Sequence, residues 1–218
     1  MRGMSERVFI IDDDDGMCRL LESQVALIDL ESESFRRPKR FLEQFSHAGP
    51  GCIIADVVMP EMSGLQLLRA AREAHIGLPF IILTGHADVA IAVAAFRAGA
   101  FDFLEKPFSE SIFLEMVQRA IQHSRAELVS EAKQHEIEEH MAMLTDRERE
   151  VVAEMINGNS TKEIGRKLKI SPRTVERHRQ NALKKIGVRS ILELGGLVKV
   201  LSKRSLSGVS TYETDRSY

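Results

Sequence analysis

Tryptophan is absent from the chain, and tyrosine and cysteine occur twice each. The two cysteines, Cys18 and Cys52, belong to no metal-spaced cluster, so a thiolate metal centre is excluded and free buried thiols are expected. No apolar run approaches the ~20 residues that a membrane helix needs. The first residues, Met1-Arg2-Gly3-Met4-Ser5-Glu6-Arg7, run into a strand pattern with no secretory hydrophobic region. Together these absences predict a cytoplasmic protein without membrane partners. What is present is ordinary for packed domains: 44% hydrophobic and 28% charged residues. A length of 218 residues allows one large or two small domains.

The near-neutral total of -2 conceals two opposite halves. Residues 1–142 carry a net charge of -9 and residues 143–204 a net of +8. Two domains with different partners are expected, the second suited to a phosphate backbone.

The front half alternates strand and helix patterns five times. Val8-Phe9-Ile10-Ile11 ends in Asp12-Asp13-Asp14-Asp15, and a helical pattern follows through Met17, Leu20, Leu21, Val25 and Ile28. A strand near Ser32 to Phe35 and a helix around Phe41 to Phe45 come next. Cys52-Ile53-Ile54-Ala55 then leads to Asp56, with Pro60 and Gly64 breaking the chain beyond it. A helix over Leu65, Leu67, Leu68 and Ala71 precedes the strand Pro79 to Leu83, which ends at Thr84-Gly85. Asp88 to Ala98 forms a helix stopped by Gly99, and Phe101 to Leu104 forms a fifth strand before Lys106-Pro107. From Ser109 a last helix carries apolar residues at Ile112, Phe113, Met116, Val117, Ala120 and Ile121.

This alternation predicts a doubly wound, five-stranded parallel sheet. Acids or hydroxyls end three strands and Lys106 follows the fifth, so the usual strand order brings them to one sheet edge. Asp56 taken alone reads first as the cap of a turn, since Asp is common at strand ends. Clustered carboxylates, however, suit a hard divalent cation. An ionised Asp can attack phosphorus, and a hydroxyl and an ammonium can hold phosphoryl oxygens.

Residues 7 to about 123 resemble a response-regulator receiver domain. The matching segments are Val8 to Asp14, Asp56 to Gly64, Ile82-Leu83-Thr84-Gly85-His86 and Gly99 to Phe108. The resemblance implies that Asp56 is the phosphoacceptor and that Thr84 and Lys106 hold the phosphoryl group. It implies that Asp13, Asp56 and the Val58 carbonyl bind Mg2+ directly, with Asp12 acting through a metal-bound water. Phe103 would be the aromatic that moves with Thr84, and the Lys106–Pro107 bond would be cis. Val58 and His86 would overlook the approach of the hydrolytic water. Asp14 and Asp15 are expected in a turn and a helix cap. A rival reading takes Asp13, Asp15 and Gly16 as the strand-end signature of a haloacid-dehalogenase-type phosphatase, with Met17 in place of its Thr and no cap domain evident.

Neither Gly nor Pro interrupts the chain from Ser109 to Ile156, and residues 123–141 are charged and helix-prone. The expected divisions are a receiver over 1–123, a helical linker over 124–142, a basic domain over 143–204 and a disordered tail over 205–218.

In the basic domain, Thr145 with Glu148 and Ser160 with Glu163 form capping boxes, and Ser171-Pro172 opens a third helix that stops at Gly187. Ser190 with Glu193 opens a fourth. Short helices across a tight turn, the second of them basic, make a helix-turn-helix. Val175, Ala182, Leu183 and Ile186 share one face of the third helix, while Arg173, Glu176, Arg177, Gln180 and Lys184 share another. Residues 143–202 resemble the LuxR-type DNA-binding domain through Thr145 to Val152, Gly158, Lys162-Glu163-Ile164 and Ile170 to His178, with Gly165 where that family usually has Ala. By that resemblance Glu176, Arg177 and Gln180 read bases, and Lys162, Arg173, Thr174, His178 and Lys184 contact phosphates. The whole chain resembles NarL/FixJ-type two-component response regulators. A sensor histidine kinase, double-stranded DNA and a second copy of the chain, paired on phosphorylation, are the implied partners. A regulator of the same build acting without phosphorylation is the alternative.

Overall fold

The computed structural model describes residues 5–85 and 89–188, with Glu193. The expectations for His86, Asp88, the helix from Ser190 and the tail lie outside the described residues. Packing divides the chain into two units, Met1–Val129 and Ser130–Tyr218.

The first unit is a five-stranded parallel sheet in the order β2-β1-β3-β4-β5. Its strands are β1 (Arg7–Ile11), β2 (Glu31–Phe35), β3 (Gly51–Asp56), β4 (Phe80–Thr84) and β5 (Asp102–Glu105). Its helices are α1 (Asp15–Ala26), α2 (Pro38–Gln44), α3 (Gly64–Glu73), α4 (Val89–Arg97) and α5 (Glu110–Ala142). The unbroken apolar run of β3 is buried at every position because the strand is central and covered on both faces. Ile54 pairs with Ile10 on one side and Ile81 on the other. The strand period of two divides the core. Phe9, Ile11, Ile53, Ala55, Phe80 and Ile82 pack with α2, α3 and α4 residues such as Phe41, Leu67, Leu68 and Ala95. Val8, Ile10, Cys52, Ile54, Ile81 and Leu83 pack with Leu21 and Val25 of α1 and Phe113, Val117 and Ala120 of α5. Each fully buried Ile, Leu or Phe stabilises the fold by about 1.5–3 kcal/mol relative to exposure.

Two helical positions depart from the sequence pattern. Leu20 and Ile112 are half exposed, although each falls within its helix's apolar pattern. Their neighbours Leu21 and Phe113, 100° further round, take the buried positions. The edge strand β2, Glu-Ser-Glu-Ser-Phe, buries only Phe35, and its charges suit an edge that must not pair further.

Helix α5 runs without a break from Glu110 to Ala142, as the lack of Gly and Pro predicts. Its attachment to the first unit extends past residue 123. Ser124 is buried and its Oγ accepts from the Gly51 N–H at 3.2 Å, while Arg125 pairs with Glu6.

In the second unit, α6 (Asp146–Ile156), α7 (Thr161–Leu168) and α8 (Pro172–Ile186) follow the end of α5. The boxes of Thr145 with Glu148 and Ser160 with Glu163 are both complete. Ser171 accepts from the Thr174 N–H, and α8 ends at Gly187 with φ +77°. Val151, Met155, Ile164 and Val175 form one small core; Leu144, Val152, Ala182 and Ile186 form another.

Gly64 is where packing leaves no room for a side chain. A Cβ there would lie 2.3 Å from the Asp56 carbonyl oxygen. Gly64→Ala is therefore expected to destabilise the first unit by about 1–3 kcal/mol, since backbone must move to relieve the overlap. Gly77, with nothing within 4 Å of its Cβ position, is the control. Urea unfolding midpoints should separate the two variants.

Candidate functional site

Three carboxyl-terminal strand ends and the loop after β5 build the first site. Asp12 follows β1, Asp56 ends β3 and Thr84 ends β4, all three buried. The Lys106 ammonium donates to Asp12 Oδ2 at 3.0 Å and to Asp56 Oδ1 at 2.6 Å. Backbone amides hold the opposite oxygens: Val58 N–H donates to Asp56 Oδ2 at 2.7 Å and Asp14 N–H to Asp12 Oδ1 at 2.9 Å. Lys106 is itself fixed by its N–H on the Thr84 carbonyl at 2.7 Å, and its bond to Pro107 is cis.

Burial raises the pKa of Asp12, against the lowering effect of the Asp14 amide and the Lys106 ammonium. Burial alone would lower that of Lys106, but its bonds to Asp56 and Asp12 outweigh it and the net direction is up. The lysine is therefore a fixed cation. Two buried carboxylates facing one ammonium leave a surplus of negative charge, which suits a cation or an incoming electrophile.

Asp13 is exposed beside this pair. Among the described residues no three acids, histidines or cysteines stand together as a metal-holding group. The donor set still fits magnesium, which takes one or two carboxylates and keeps waters. Asp14 caps α1 by accepting from Gly16 N–H at 2.7 Å, and Asp15 pairs with Arg36. Neither is turned toward Asp56 as a further ligand. Phe103 is half-buried, packed edge-on against Phe96 with ring centroids 5.8 Å apart. The Val58 side chain is 77% exposed and offers no polar group beside Asp56.

The second site is on α7 and α8. Lys162 on α7 is exposed. On α8, Arg173, Arg177, Gln180 and Lys184 are exposed at intervals of four, three and four residues, which keeps them on one stripe. Thr174, Glu176 and His178 are half-buried. Thr174 Oγ1 lies 2.8 Å from the cap hydroxyl of Ser171, and Glu176 pairs with Arg179 at 3.6 Å. The turn between the helices is drawn tight: Ile170 N–H donates to the Gly165 carbonyl, and a Cβ at Gly165 would lie 2.9 Å from the Ile170 oxygen.

Sequence reasoning missed how α8 is anchored. Lys185, next to the exposed Lys184, turns inward and donates to buried Glu148 at 2.6 Å. Glu148 was visible only as a box residue; that its carboxylate also serves a distant lysine has no local signal.

Residues 8–118 match the family described as response regulator receiver domain, and residues 142–196 match bacterial regulatory proteins of the luxR family. Response regulator protein TodT of Pseudomonas putida is 36% identical over 197 residues, covering 89% of this chain and 87% of TodT. Transcriptional regulatory protein FixJ of Rhizobium meliloti is 35% identical over 187 residues, covering 86% and 92%. The chain belongs to the NarL/FixJ-type response regulators. Among solved structures, the response regulator StyR superposes with a TM-score of 0.77 at 33% identity, covering 89% of this chain and 98% of StyR. Full-length FixJ from B. japonicum gives a TM-score of 0.56 at 34% identity, covering 93% and 98%. This regulator acts on transcription within a two-component system, and its two domain types imply a kinase partner and DNA binding. The phosphatase reading of Asp13, Asp15 and Gly16 is set aside by these matches and by the engagement of Asp14 and Asp15 in a cap and an ion pair. No described helix is long and apolar enough to cross a membrane.

The Glu148–Lys185 pair carries a pH consequence. The Lys185 hydrogen bond, then the Thr145 amide, lowers the Glu148 pKa from 4.5 to about 2. A depressed folded-state value stabilises fully above the unfolded value and is lost as pH falls through the folded one. The α6–α8 core should therefore weaken between about pH 5 and pH 2. Glu148→Gln should flatten that dependence while lowering stability at neutral pH. Methyl resonances of Val151 and Val175, followed during urea titration at several pH values, report on this core directly.

Proposed function

We propose that Asp56 is the phosphoryl acceptor of this regulator, supplied by a sensor histidine kinase, and that its phosphorylation promotes pairing of two copies and DNA binding through α8. The observation that carries the reading is the ammonium of Lys106 held at 2.6 Å from Asp56 Oδ1, with Oδ2 fixed by the Val58 amide. The carboxylate is thereby oriented before any donor arrives, which removes much of the entropic cost of in-line attack. Asp56 Oδ attacks phosphorus, the bond from phosphorus to the donor's leaving atom breaks, and the leaving group departs with that electron pair. Lys106 and Thr84 then bind the phosphoryl oxygens. Magnesium, held by Asp12, Asp13, Asp56 and the Val58 carbonyl, would neutralise charge on the transferring group. A phosphorylated Asp56 draws Lys106 away from Asp12 and engages Thr84, and Phe103 beside α4 carries the change to the α4–β5–α5 face. Exposed Val93 and Phe96 on α4 give that face apolar surface for a second copy.

On DNA, Arg177, Gln180 and Glu176 are assigned to base edges, and Lys162, Arg173, Thr174, His178 and Lys184 to phosphates. Exposure favours Arg173, Arg177, Gln180 and Lys184 most, since they form the open stripe.

Acetyl phosphate with magnesium should add one hydroxylamine-labile phosphoryl group, seen by intact mass, and Asp56→Asn should abolish it. A labile phosphoryl group on Asp56→Asn would remove the assignment. For DNA, Lys184→Ala should weaken all sequences alike and reduce the salt slope by about one phosphate's worth, roughly 0.9 in log affinity per log salt. Arg177→Ala should instead relax preference at one base position, at a cost of about 1–3 kcal/mol there. Equal losses on specific and random DNA would make Arg177 a phosphate contact.

A further inference from the structure

The first unit carries a cavity of about 550 Å³ that the phosphoryl chemistry does not use. It lies where α1, β2 and the start of α2 meet, with Phe35 and Cys18 in its lining. Four guanidinium groups from three places in the chain also line it: Arg19 of α1, Arg36 and Arg37 of the β2–α2 turn, and Arg40 of α2. Their engagements differ. Arg36 is paired with Asp15, and Arg37 with Glu61 at 2.8 Å. Arg40 donates from Nε to the neutral Gln44 Oε1 at 3.1 Å, so its charge is not neutralised. Arg19 makes no ion pair among the described residues. Three acids share the lining. Asp15 belongs to Arg36, and Glu33 is held by Arg7 at 3.5 Å, leaving Glu22 against the charges of Arg19 and Arg40.

We propose that this cavity is a binding site for a small polyanion bearing phosphate or carboxylate groups, gripped by the forks of Arg19 and Arg40. Planar guanidinium groups bind such oxygens in pairs, and the cavity opens to solvent with all four arginines exposed at its rim, so an anion can reach them directly. A ligand with more than one anionic group would also compete for Arg36 and Arg37. Those two arginines hold Asp15 at the start of α1 and Glu61 in the loop after β3, where Glu61 adopts a φ of +69°. Both partners belong to segments that flank Asp12 and Asp56. Occupancy of the cavity therefore bears on the phosphoacceptor end of the sheet through two ion pairs, without contact to Asp56 itself.

The test is a titration of the full-length protein, without magnesium, with inorganic pyrophosphate, ADP and citrate, followed by amide NMR. The proposal expects saturable shifts at Arg19, Phe35, Arg36, Arg37 and Arg40 with at least one probe. The double variant Arg19→Ala/Arg40→Ala should weaken that binding by about tenfold or more, and Arg19→Lys/Arg40→Lys, which keeps charge but loses the forks, by less. Tighter binding of ADP or pyrophosphate identifies a phosphate ligand, and of citrate a polycarboxylate. Shifts confined to the surroundings of Asp56 would overturn the proposal. So would non-saturating shifts with all three probes, or unchanged affinity in the double alanine variant.

Discussion

The ammonium of Lys106 between Asp12 and Asp56 is the interaction on which the acidic end of the sheet depends. Two buried carboxylates from neighbouring strands would repel each other without a counter-charge between them. One lysine serves both, and the Thr84 carbonyl fixes its backbone. The same contacts leave the Asp56 carboxylate aligned and its surroundings still short of positive charge. Stability and reactivity thus come from one arrangement, and each requires β1, β3, β4 and the loop after β5 to be in register.

That register follows from the sheet. Ile10, Ile54 and Ile81 lie side by side, and Ala55 pairs with Ile11 and Ile82, so the polar residues that follow emerge at a common edge. Gly64 then lets the start of α3 close against the Asp56 backbone, where its N–H donates to the Val57 carbonyl at 3.1 Å. The spacing from Asp56 to Gly64 is a packing requirement as much as a chemical one. In the helical half, three hydroxyl caps set the starts of α6, α7 and α8, and Glu148 with Lys185 ties the last of them to the first.

Much of this is legible in the sequence because the signals are local. A continuous apolar strand, a hydroxyl three residues before a Glu, or a Pro after a Ser each carries its own physical cause. The strand-end residues Asp12, Asp56, Thr84 and Lys106 were legible for the same reason, once five alternations implied a single sheet edge. What escaped depends on contacts between distant segments. Arg37 meets Glu61, and Lys185 meets Glu148, only because particular loops and helices are brought together. Leu20 and Ile112 fit their helical periods by type, yet each lies one residue from the true buried stripe. Apolar identity alone does not say which side of a 100° step faces the core.

The central claim is that charge added at Asp56 governs the DNA-binding half of the same chain. The most direct measurement is the affinity of the full-length protein for its DNA site with and without beryllofluoride and magnesium, at one fixed salt concentration. The account predicts that beryllofluoride tightens binding by the wild-type protein and leaves Asp56→Asn unchanged. Equal wild-type affinity in both conditions, with the ligand shown to occupy Asp56, would contradict it.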